Sequence, residues 1–319
     1  MIECIFQDVF INTEVKKYTI KSDFINVKNN VTTLRIITDI YYETIALFSP
    51  VNNLEVNTIS EIKKGDLPEG LKNLKILGDN KIKKIKKGVL PQALKYLEID
   101  GKNIISKIAN LPEGLEFLKL HGNNNIESLL GIPDSVKNLN ITGNNTIQSL
   151  SHLPKSLVRL YIGGCNQISE LENLPESLEY LEISRNNQIS ELENLPENLK
   201  YLDISGENEI FKLENIPKSL ESLDISGNNQ IEKLENLPMG LEYLEISGEN
   251  EIEKLENLPE TLEHLEISGE NEISEIENLP DSLEKVILFC KNIDEDYIFI
   301  EDLEIPKNLT QLRVNGSCF

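Results

Sequence analysis

Leucine and isoleucine return along most of this chain in one short frame, Leu-x-x-Leu-x-Ile, with polar or charged residues in the slots between. One complete unit runs from Leu174-Pro175 through Leu178, Leu181, Ile183, Asn187, Ile189 and Leu192 to Asn194. The Leu181-x-Ile183 step has the period of two expected of a strand with one buried face. No stretch sustains the i, i+3, i+4, i+7 spacing of an amphipathic helix for more than one turn. The proline in each unit also breaks any long helix, because it has no amide hydrogen and clashes with the preceding turn. The pattern therefore predicts one short parallel strand per unit, then a turn, then an extended return segment. Parallel strands stack at roughly 4.8 Å. Six apolar side chains per unit, here Leu174, Leu178, Leu181, Ile183, Ile189 and Leu192, are expected to point inward. One unit cannot bury them alone, so stacked neighbours must close the core.

The prolines set the period. From Pro91 to Pro280 they fall at 21-residue steps, which marks a repeat protein. Upstream the strand frame continues without proline as Val31-x-x-Leu34-x-Ile36, Val51-x-x-Leu54-x-Val56 and Leu71-x-x-Leu74-x-Ile76. A weaker copy, Val15-x-x-Tyr18-x-Ile20, is a candidate first strand. Four segments are expected: an irregular N-terminal cap over 1–30, divergent leading repeats over 31–66, regular repeats over 67–292, and an acidic loop with a last strand and C-terminal cap over 293–319. Caps are expected because an open end would expose core and strand edge.

After each strand comes one Asn: Asn80, Asn103, Asn124, Asn145, Asn166, Asn187, Asn208, Asn229, Asn250, Asn271 and Asn292. An amide side chain carries donors and an acceptor, so an inward column can satisfy turn backbone that the curved chain leaves unpaired. That hydrogen-bonded ladder is preferred here to a metal or sugar site. A glycine stands two residues earlier in most units, suited to a positive φ.

The run LxxLxIxGxNxI followed by Leu-Pro resembles the leucine-rich repeat superfamily over residues 67–292. The Leu-Pro start resembles the short-repeat class of secreted bacterial effectors. Residues 86–97, Lys-Lys-Gly-Val-Leu-Pro-Gln-Ala-Leu-Lys-Tyr-Leu, are similar to FNIP repeats of amoebae and giant viruses. The resemblance implies a horseshoe or arc-shaped solenoid with its parallel sheet on the concave face and non-helical, extended or 3-10 convex segments. It also implies an effector or adaptor acting in a host or amoebal cytosol.

Composition then narrows the chemistry. The chain has 319 residues, with 54 acidic against 31 basic side chains and a formal charge of −23. Such acidity disfavours nucleic acid and anionic membrane as partners, and no apolar run is long enough to span a bilayer. The N-terminus lacks a conventional secretory signal. Cys4, Cys165, Cys290 and Cys318 lie far apart and read as free thiols of a reducing, cytoplasmic compartment, in the organism's own cell or a host's. Cys165 takes an interior-side turn position and reads as a buried small residue. Phosphate-loop, GxSxG and HExxH motifs are absent. His121, His152 and His264 fall in different units, so no metal site is expected. The acidic run at Asp294-Glu295-Asp296 lacks the spacing of a calcium loop. Neither catalysis nor a cofactor is expected.

Binding is expected on the outward strand positions. One column holds Tyr96, Phe117, Tyr180, Tyr201, Tyr243 and His264, and the next holds Tyr161, Glu182, Asp203, Asp224, Glu245 and Glu266. Tyr is a favoured interface anchor, whereas stacked acids repel one another. Residues 171–280 carry a net charge of −22 and residues 61–110 a net of +6. The expected function is non-catalytic recognition of a basic protein or peptide on the concave face. The alternative is a structural or surface repeat protein without a dedicated partner, its acids inherited by duplication of near-identical units.

Overall fold

A computed structural model describes residues 3–5, 8–11, 33–36, 53–57, 61–78, 80–271, 273, 275–276, 278–290, 305–314 and 317–318. It divides into two compact units, one of residues 1–147 with 152–157, the other of residues 148–151 with 158–319. Among the described residues there is no helix; the regular elements are strands.

In the first unit, parallel strands run at Thr33–Ile36, Asn53–Asn57, Asn73–Leu77, Tyr96–Ile99, Phe117–Leu120 and Asn138–Ile141, each paired with the next. Glu3–Ile5 and Asp8–Ile11 form an antiparallel pair, and Asp8–Ile11 lies parallel to Thr33–Ile36. The strand that precedes Thr33–Ile36 in the ladder is thus Asp8–Ile11; the candidate strand at residues 15–20 lies outside the described residues.

In the second unit, parallel strands run at Arg159–Ile162, Tyr180–Ile183, Tyr201–Ile204, Ser222–Ile225, Tyr243–Ile246, His264–Asn271, Lys285–Cys290 and Gln311–Val314. Leu181, Leu202, Leu223, Leu244 and Leu265 face one another in register, so each stacks on the same residue type above and below. These leucines and the paired Ile183, Ile204, Ile225, Ile246 and Ile267 are fully buried. Each fully buried side chain of this size contributes about 1.5–3 kcal/mol relative to exposure.

The corners follow from local chemistry. The Pro175 carbonyl accepts the Leu178 amide at 3.0 Å, closing a single turn, and Pro196–Leu199 and Pro217–Leu220 repeat it. Proline serves here because its carbonyl is used and its missing N–H is not needed. Two residues before the prolines, Asn110, Asn173, Asn194, Asn215, Asn236, Asn257 and Asn278 take φ between 48° and 61°. Asn tolerates this left-handed region because its short amide can bond to nearby backbone.

One core expectation is corrected. Leu178, Leu181, Ile183, Ile189 and Leu192 are buried, but Leu174 is only half-buried. It stands at the corner between the left-handed Asn173 and Pro175, at the rim of the interior rather than within it.

Candidate functional site

The pleat sends Leu181 and Ile183 inward, so Tyr180 and Glu182 stand on the opposite, open face of the strand. Parallel pairing without offset then repeats those two outward positions from strand to strand.

In the second unit the first outward column reads Arg159, Tyr180, Tyr201, Ser222, Tyr243, His264 and Lys285. The Tyr180 and Tyr201 rings stack with centroids 4.2 Å apart and planes 4° from parallel. Tyr243 and His264 stack at 4.3 Å and 16°, and the Arg159 guanidinium lies 5.9 Å from the Tyr180 ring centre. The second column reads Tyr161, Glu182, Asp203, Asp224, Glu245 and Glu266. Hydroxyls of the first column brace acids of the second: Tyr180 donates to Glu182 at 2.8 Å, Tyr201 to Asp203 at 3.5 Å, and Tyr243 to Glu245. Burial, followed by the neighbouring carboxylates, pushes the Tyr180, Tyr201 and Tyr243 hydroxyls above their ordinary range, so they remain donors.

Charge over most of the acidic column is uncompensated. Among the described residues no cation lies within ion-pair distance of Glu182, Asp203, Asp224 or Glu245; only Glu266 has one, Lys285 Nζ at 3.5 Å. Burial and then the Glu182 charge push Asp203 up to about 6. Burial, Asp203 and Glu245 push Asp224 up to about 7. Asp224 also lacks the tyrosine bond that Asp203 accepts, since Ser222 stands where Tyr201 does in the neighbouring strand.

The first unit uses the same register position differently. Glu98 is almost fully buried between Lys75 at 3.2 Å and Lys119 at 3.1 Å, and it accepts the Tyr96 hydroxyl at 2.7 Å. Burial alone would raise its carboxyl, but the Tyr96 bond and the two lysines together hold it below the ordinary range. Tyr96 and Phe117 stack at 4.6 Å and 17°, with Lys75 Nζ 5.5 Å from the Tyr96 ring centre. His121 Nε2 faces Asn140 Oδ1 at 2.8 Å.

The Asn residues from Asn80 to Asn250 are fully buried. Asn208 Oδ1 accepts the Ile189 amide from the preceding unit at 3.1 Å, while its Nδ2 donates to the Ser226 carbonyl in the following one at 3.1 Å. Asn229 repeats this between Ile210 and Ser247. One side chain thereby ties three successive turns. The Asn271 side chain and Asn292 lie outside the described residues, as does the acidic run at 294–302.

One sequence reading changes. Cys165 is exposed rather than buried, because its neighbour Asn166 takes the inward position and the turn sends Cys165 outward. His264 lies far from His121 and His152 in sequence, but register brings it beside Glu245 and Glu266, and one donor atom from each lies within 4.8 Å of the other two. A search for clustered histidines misses this group. The 21-residue offset between His264 and the Tyr243-x-Glu245 step is the signal that finds it.

Residues 60–102 match the profile of the FNIP repeat family. None of the curated proteins matches the sequence. Among solved structures, the chain is similar to CroV588, described as a circular leucine-rich-repeat protein, with a TM-score of 0.60 and 21% identity over 90% of this chain and 50% of that one. It is similar to YopM of Yersinia enterocolitica, with a TM-score of 0.50 and 24% identity over 88% of this chain and 70% of YopM. It is also similar to the functional domain of InlJ from Listeria monocytogenes, with a TM-score of 0.61 and 18% identity over 89% of this chain and 62% of that one. The chain thus spans half the length of CroV588 and under two thirds of the InlJ domain. The fold is a leucine-rich-repeat solenoid of parallel strands. Among the described residues no helix is long and apolar enough to cross a membrane.

Proposed function

We propose that the open strand face of the second unit is a non-catalytic recognition surface for a basic protein or peptide. The observation that carries this reading is the row Glu182, Asp203, Asp224 and Glu245, in register and without cation partners among the described residues. A row of like charges on neighbouring strands destabilises the sheet that bears it. A cationic partner relieves that repulsion and is steered to it over distance. The stacked Tyr180–Tyr201 and Tyr243–His264 pairs supply flat, rigid contact area beside the charge. Tyr161 opens the acidic column, in register with Glu182. The Tyr96–Phe117 pair of the first unit is proposed as an apolar platform of its own, since Glu98 beside it is already neutralised. The exposed free thiol of Cys165 suits a reducing, cytosolic setting.

The test is fluorescence anisotropy with a labelled Arg/Ser-alternating peptide and a Glu/Ser control. Wild type is compared with Tyr180→Ala/Tyr201→Ala/Tyr243→Ala and with Asp203→Asn/Asp224→Asn/Glu245→Gln, each shown to be folded. The expected result is binding of the basic peptide alone, weakened by salt and lost in both variants. Equal binding by wild type and both variants overturns the reading and returns the acids to inherited surface.

A further inference from the structure

We propose that Glu245, His264 and Glu266 form a binding site for a divalent transition-metal ion of the zinc type on the strand face of the second unit. The three residues offer one imidazole nitrogen and two carboxylate oxygens, all within 4.8 Å of one another. His264 Nε2 and Glu266 Oε2 are 3.6 Å apart. Two ligands of one tetrahedral zinc ion, each bonded at about 2.0–2.2 Å, sit about 3.3–3.5 Å apart. The pair therefore already stands near ligand spacing, with a Glu245 carboxylate oxygen within 4.8 Å of both.

The imidazole itself points to a cation. His264 Nε2 is shut off from solvent and, among the described residues, has no hydrogen-bond partner. It faces a carboxylate at a distance too long for a hydrogen bond and right for shared coordination. A buried polar atom without a partner is costly, and a metal ion would satisfy it.

Supporting contacts hold the donors as metal ligands are usually held. The Tyr243 ring stacks on the imidazole and fixes its plane, and the Tyr243 hydroxyl donates to Glu245. Hydrogen-bonded ligands of this kind are the ordinary outer shell of a metal site. Two carboxylates would balance the ion's charge, and three protein ligands would leave a coordination position open. Lys285 Nζ, 3.5 Å from Glu266 Oε2, is the cation an incoming metal would displace. This proposal does not depend on the basic-partner reading, because its probe is the ion alone.

The test is isothermal titration of the full chain with zinc chloride at physiological salt, with magnesium present to occupy unspecific carboxylates. The expected result is one zinc per chain. His264→Ala and Glu266→Gln should each weaken the affinity about tenfold or more, whereas Lys285→Met should strengthen it several-fold by removing the competing ammonium. Zinc-edge X-ray absorption should show a nitrogen and oxygen shell without sulfur. Zinc affinity unchanged by Glu266→Gln and Lys285→Met, which preserve side-chain size, overturns the site even if His264→Ala fails to fold. A sulfur shell, indicating Cys165 or another thiol, also overturns it.

Discussion

Asp203 and Asp224 stand directly opposite each other on neighbouring parallel strands, both half-buried and, among the described residues, neither within ion-pair distance of a cation. Their carboxyls are raised to about 6 and about 7, by burial first and by the neighbouring acids next. The folded state therefore binds more protons than the unfolded chain between pH 4 and 7. Stability falls as pH rises through that window and levels off above it. Glu98 acts in the opposite sense, being held low, but it titrates only below the ordinary carboxylate range. Thermal melts between pH 4 and 8 should thus show greatest stability near the acid end, by on the order of 1–2 kcal/mol after solvent screening. Asp224→Asn should raise stability at pH 7.5 and flatten the profile.

Arg185 occupies a turn position with φ 73°, where Gly206, Gly227 and Gly248 stand in later units. A Cβ built on Gly248 would lie 2.4 Å from the Gly227 carbonyl oxygen, so the column is crowded as well as left-handed. Arg185→Gly should stabilise the protein by about 1 kcal/mol by removing the steric cost of that conformation. Gly248→Ala should destabilise it by about 1–3 kcal/mol. Urea denaturation of the two variants should move in opposite directions.

Replacing Asn208 with Ala leaves the Ile189 amide and the Ser226 carbonyl without their partner in a buried setting. A cost of about 2–5 kcal/mol is expected for two unmade bonds. Asp in its place would restore an acceptor but lose the donor and bury a charge, so N208D should be at least as damaging at neutral pH. Hydrogen exchange should locate the effect, with protection at the Ile189 amide falling well before that of amides several units away.

The Tyr180–Tyr201 stack predicts coupling between those two side chains. A double-mutant cycle with the single and double Leu variants should give about 0.5–1.5 kcal/mol of interaction energy. Strict additivity would mean that the two rings merely share a column.

The strand frame and the inward leucines were legible because a two-residue alternation inside a fixed 21-residue period leaves few alternatives for Leu181 and Ile183. Leu174 belongs to no alternation, so the pattern did not set its depth; the equivalent Leu237 and Leu258, after equally left-handed Asn residues, are buried in their units. An Asn two residues ahead of seven of the thirteen prolines was visible in the sequence, but its conformation was not read from it. Charge was legible in sum and not in detail. Glu98 and Asp203 occupy the same register position, yet two flanking lysines neutralise one while acids crowd the other. His264 shows the same limit, since its neighbours are set by pairing between units and not by proximity in sequence.

In the second unit Asn208 and Asn229 are each tied both to the turn before and to the turn after, so a turn at the end of the array has fewer such attachments than these interior ones. Under tension applied along the chain, the array should therefore peel from an end rather than rupture at its centre. Each event would release one 21-residue length, about 70 Å of extended backbone. A force trace of this chain would then be a staircase whose tread is set by the asparagine spacing.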